Sequence, residues 1–168
     1  YKLVTGVQTC ALPISPVLRR ALAERPDDPS LHRDVAREHP VPVADELIAR
    51  VRAGEADEDG RVRRSILDGL REAGPGARPT ILRLAADAPH LDPEQTRALA
   101  RIAQTAGLAI SEDCLERVEV GIDYDGRDEP PPGWDAAVRR ANRREERRTR
   151  RCLTALRAAG REAVNAAR

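Results

Sequence analysis

The sequence predicts an all-α protein: a stack of two-helix repeats, an acidic linker and one long basic helix. Three observations carry this. The 168-residue chain has no Phe, two Tyr and one Trp, so its core must be built from Leu, Ile, Val and Ala. That suits close-packed helices better than strands, which draw on β-branched and aromatic residues. From residue 28 onward apolar residues recur at helical spacing in short segments closed by Gly or Pro. These segments come in pairs, and the pairs return with a period in the thirties, the mark of an α-solenoid.

The elements follow in order. Residues 30–38, with Ser30 as N-cap and Leu31 and Val35 on one face, form a helix that "HPVPV" breaks. Residues 44–54 follow, with Leu47, Ile48 and Val51 inward and Gly54 as the stop. The clearest helix is 60–74, where Val62, Ile66, Leu67 and Leu70 make an apolar stripe and Arg fills the opposite face. Its partner spans 77–88, with Pro79 in the first turn and Ile81, Leu82 and Ala85 inward. Residues 92–107 open on Asp92 and Pro93 and carry Leu99, Ile102, Ala103 and Ala106. Residues 111–118 complete the third pair, with Ser111 as N-cap and Cys114, Leu115 and Val118 inward.

Leu47, Leu82 and Leu115 take equivalent places in successive second helices, and Gly60 and Pro93 end the turns between units. "VRRSILDGLREAGPGARPTILRLAAD" resembles the HEAT-like helical-repeat family: an Arg-bearing first helix, a Gly/Pro break and a Leu-rich second helix. The resemblance covers about residues 28–118 and implies an α-solenoid that binds proteins along its concave face. "PVLRRALAERP" (16–26) lines up with "PTILRLAADAP" (79–89), so the repeat region is read as 16–118, truncated at its start.

Residues 4–14, "VTGVQTCALPI", have neither helical nor strand periodicity, and Lys2, the one Lys of the chain, lies beside them. They resemble the conceptual translation of a short-read sequencing adapter. With no Met in the chain, residues 1–15 are read as non-native and set aside from the fold, and the chain as a fragment. The strong bias to Arg and Ala points to a GC-rich, bacterial coding sequence.

Residues 119–133 read as an acidic, Pro-rich linker, in which the alternation of Val118, Val120, Ile122 and Tyr124 admits a short strand. Residues 134–168 read as one long helix that Gly160 ends or bends. Charge is strongly polarised: residues 16–132 carry 17 Arg against 24 acids, and residues 133–168 carry 11 Arg against 4 acids.

No motif points to catalysis, a cofactor or a metal. "DYDGRDE" (123–129) lacks the ligand spacing of a calcium loop, and His32, His39 and His90 are scattered. Cys114 and Cys152 match no metal spacing and read as small buried hydrophobes. No run approaches 18 apolar residues, so no membrane span is expected, and a cytoplasmic protein is.

The expected function is a non-catalytic scaffold for protein–protein interaction. Arg50, Arg83 and Glu116 are its concave-face candidates. The alternative is nucleic-acid binding through Arg143, Arg144, Arg147 and Arg148 of the basic helix. Those arginines meet either the acidic repeats, solvent, phosphates or another acidic partner; Glu145 and Glu146 within the run weigh against phosphates. The sequence leaves the oligomeric state open.

Overall fold

A computed structural model describes residues 14–53, 60–126 and 129–167. The fold is all-α, with no strand among the described residues. Seven α-helices are described: α1 (Ile14–Glu24), α2 (Pro29–Glu38), α3 (Ala44–Ala53), α4 (Arg61–Ala73), α5 (Arg78–Ala86), α6 (Pro93–Thr105) and α7 (Trp134–Ala166). The expectation for residues 1–15 lies outside the described residues up to position 13, and Ile14 and Ser15 open α1.

The apolar stripes face inward as the periodicity requires. Val62, Ile66, Leu67 and Leu70 of α4 are all buried, alongside Leu47, Ile48 and Val51 of α3 and Leu99, Ile102 and Ala103 of α6. The helix starts are set by local chemistry. Asp92 accepts from the Gln95 amide at 2.7 Å while Gln95 reaches back, closing a capping box ahead of Pro93. At α2 the cap is Asp28, which accepts from the Leu31 amide at 3.1 Å. It replaces Ser30, because Pro29 fits the first helical position and draws the start forward by two residues.

Helices two apart in the chain lie side by side. α2 packs on α4 and α4 on α6, while α3 packs on α5 and α5 on α7. Gly69 marks the α2–α4 contact: a Cβ there would fall onto the Arg33 carbonyl and lie 2.7 Å from the Ala36 Cβ. Ion pairs repeat the same neighbour relationship. Arg33 meets Glu72 and Arg64 meets Glu94 in one set; Arg19 meets Glu46 and Asp45 meets Arg83 in the other. Exposed pairs contribute only about 0–1 kcal/mol each, so burial of the apolar stripes carries the stability.

Arginines also close the helix ends, whose last carbonyls have no intrahelical partner. The guanidinium of Arg63 in α4 is buried and donates to the Val51 carbonyl at 2.6 Å, and to Arg52 and His90 carbonyls at 3.3 Å. Arg78 donates to the Ala106 carbonyl at the end of α6, at 3.0 Å. Arg157 of α7 donates to the Ala88 carbonyl beyond α5, at 2.8 Å.

Three expectations are corrected. Residues 111–118 form only a 3₁₀ turn, Glu112–Cys114, capped by Ser111. The Val118 amide that would close a helical turn goes instead to the Glu145 carboxylate, and the Glu116 carbonyl is taken by Arg148. α7 packs beside α5, where that helix would lie in the repeat pattern. Residues 118–124 form no strand, and among the described residues the Val118 amide is the main-chain group of this segment that α7 binds. Gly160 does not end α7, which runs on to Ala166. A Cβ there would fall onto the Ala86 amide nitrogen, so the glycine serves close approach of α7 to α5. Finally, Cys114 and Cys152 are buried as expected but joined in a disulfide, with Cα atoms 5.6 Å apart.

Candidate functional site

α7 is amphipathic in an unusual way. Its inward face runs through Ala141, Glu145, Thr149, Cys152, Leu156 and Gly160, at spacings of three and four. Small and polar residues keep this stripe continuous where the sequence shows no apolar residue. Glu145 forms an ion pair with Arg97 of α6, and both side chains are largely shielded from solvent. The other Glu145 oxygen accepts the Val118 amide at 3.2 Å. One carboxylate therefore ties α7 to α6 and to the segment that follows the 3₁₀ turn.

With Glu145 turned inward, Arg144, Arg147, Arg148 and Arg151 fall on a neighbouring face at i, i+3, i+4 and i+7. Residues 116–121 run alongside as a strap. Between strap and helix lies an open groove of about 1120 Å³. Its floor is these four arginines with Arg150, and its wall carries Arg117 as well as Glu116 and Glu119. Six arginines and two glutamates thus line the groove.

The strap is fixed at three points. Cys114, just before it, is bonded to Cys152 of α7. Arg148 donates to the Glu116 carbonyl at 3.0 Å and pairs with Asp113 at 3.4 Å. Glu145 holds the Val118 amide. Among the described residues no carboxylate pairs with Arg144, Arg147 or Arg150. Their charge is left for solvent or a ligand.

Arg144, Arg147 and Arg148 come together in this groove, and Glu116 joins them from the strap. Arg143 is exposed and lies off the groove. Arg50 and Arg83 stand apart from it: Arg50 pairs with Asp27 at 2.6 Å, and Arg83 with Asp45. Arg50, Arg83 and Glu116 do not share one helix face, because residue 116 is not helical. Arg117, Arg150 and Arg151 are groove residues outside the candidates the sequence supplies. The i, i+3, i+4, i+7 spacing of the run held the signal for Arg151; the sequence carries none for Arg117.

A smaller cavity of about 320 Å³ lies among α1, α2 and α3, lined by Leu22, Ala49, His32 and Glu46 among others. His32 donates from Nδ1 to the Asp28 carbonyl at 2.8 Å, and burial pushes its pKa below 6.5. Among the described residues no cluster of three His, Cys, Asp or Glu side chains is arranged to hold a metal. Arg127 and Asp128 of the acidic linker lie outside those residues.

No protein-family model matches the chain, and no curated protein or solved structure is detectably similar to it.

Proposed function

We propose that the chain is a non-catalytic helical-repeat scaffold for protein–protein interaction, a HEAT-like α-solenoid whose contact surface is the arginine groove of α7. The solenoid reading draws support from the side-by-side packing of helices two apart and from the likeness of residues 16–26 to 79–89, which puts α1 and α5 in equivalent places. In this reading α7 replaces the second helix of the third unit.

The observation that carries the interaction reading is the set of unpaired arginines on a floor that the disulfide and Arg148 hold in place. A preformed, charged surface costs little ordering on binding. Nucleic-acid binding through the same arginines is the second reading. Against it stand Glu116 and Glu119 in the groove wall and an overall pI near 8.0, where a dedicated phosphate binder is more basic. Nor does an aromatic line the groove, as single-strand binding favours; Tyr124 and Trp134 pack on each other, 5.1 Å between ring centres.

Among the described residues no helix is long and apolar enough to cross a membrane. The cytoplasmic placement expected from the sequence sits poorly with a disulfide, which persists in oxidising surroundings and is rare in a reducing cytosol. We therefore place the stapled form in an oxidising environment.

A photo-crosslinking residue in place of Glu119 tests the reading in cells that carry the chain naturally. It should capture a protein, and Arg144→Gln with Arg147→Gln should abolish the adduct. Nucleic-acid adducts would promote the second reading, and adducts indifferent to the arginines would remove the groove from the function.

A further inference from the structure

The geometry points to an extended acidic peptide segment as the occupant of the arginine groove, an inference that rests on the scaffold reading. Spacing favours such a segment. Residues four apart on a helix rise about 6 Å along its axis. Alternate side chains of an extended peptide, which share one face, repeat at about 6.6 Å. Arg144 and Arg148, and likewise Arg147 and Arg151, are four apart. Arg148 and Arg151 also pair with Asp113, at 3.4 and 3.9 Å, so carboxylates at alternate positions of an extended segment fall in register with the floor and meet Arg144 and Arg147 as its unpaired members. Arginine suits this, since its planar fork binds carboxylates in bidentate fashion.

The wall favours it too. Glu116 and Glu119 share the groove with the arginines. A continuous polyanion would lay charge against those carboxylates as well as against the floor. A peptide carries its charges on one face only. Its acidic side chains can meet α7 while neutral residues pass the wall.

The test uses the full chain with its disulfide intact and a fluorescein-labelled decapeptide of alternating Glu and Ser, read by anisotropy. The peptide should bind, more weakly as salt rises. Arg144→Gln with Arg147→Gln should weaken it by about tenfold or more, with helix content unchanged, since neither arginine pairs with a carboxylate among the described residues. Arg161→Gln, exposed on α7 and away from the groove, should have no effect. A duplex oligonucleotide and inorganic polyphosphate serve as rival probes. Tighter binding of either, equal losses from Arg161→Gln, or no peptide binding would overturn the inference. If the peptide fails while the crosslinker at position 119 still captures a protein through the arginines, the scaffold reading stands and only the acidic segment falls. If both fail, both readings fall.

Discussion

Cys114 and Cys152 lie 38 residues apart in sequence and are bonded to each other beneath the arginine groove. Cys114 ends the 3₁₀ turn that leads into the strap; Cys152 sits on the inward face of α7. The bond therefore joins the segment leading into the groove's wall to the helix that forms its floor. Unfolding without reductant and alkylating should label Cys10 alone of the three cysteines. Labelling of all three would refute the bond. Replacing both partners by Ser should cost about 2–4 kcal/mol, the usual effect of opening a loop of this size.

The α5–α7 contact is tested at Gly160. Ala is the better helix former by up to about 1 kcal/mol, so an exposed glycine would gain from the change. Here the added Cβ meets the backbone of Ala86, which cannot rotate away. Gly160→Ala should lower stability by about 1–3 kcal/mol, measured by urea unfolding. Gly76→Ala, with nothing within 4 Å of its Cβ, should be close to neutral. A stabilising Gly160→Ala would mean that α7 does not approach α5.

Core phasing is tested at Leu70 and Leu82, both buried in the one apolar cluster. Either change to Ala should cost about 2–5 kcal/mol. Losses below about 0.5 kcal/mol at both, typical of a surface site, would show the helices turned the wrong way.

Much of this core is legible in the sequence, because a stripe such as Val62, Ile66, Leu67 and Leu70 states its own buried face. The start of α6 is legible too, since Asp92, Pro93 and Gln95 form a local capping motif. What escapes local reading is settled by distant partners. Residues 111–118 carry a fair helical pattern, yet Glu145 and Arg148 of α7 take the backbone groups a helix would use. The disulfide needs the fold to bring its cysteines together. The groove was half visible: the arginine run stands out, but which arginines face outward depends on Glu145 and Thr149 turning inward, and polar residues give no such signal.

His32 sets a pH dependence. Its folded pKa is lowered, chiefly by burial, with the bond to the Asp28 carbonyl opposing. Above the ordinary value of 6.5 the side chain is neutral in both states, and its full contribution is present. As pH falls below that value the unfolded chain takes up the proton first, so stability declines until the folded pKa is passed and then levels off. Urea midpoints across this range should fall with pH, and His32→Gln should flatten that segment of the curve. Asp45 and Glu72 act lower. Bonds to Arg83 and Arg33 hold their carboxyls below the ordinary values of 3.8 and 4.5, and their share of stability goes as pH falls through the folded values. A midpoint curve that stays flat from neutral pH down to the carboxylate range would contradict the burial of His32.

α7 belongs to the fold, docked on α5 and α6 with its arginines outward, rather than projecting as a free basic arm. Native-state hydrogen exchange on the oxidised chain tests it most directly. If α7 is docked, amides from about Thr149 to Gly160 should open only with the free energy that opens α5 and α6, because they share one cooperative unit. If those amides exchange like a solvated single helix while α5 and α6 stay protected, α7 is not docked and the groove it floors does not exist.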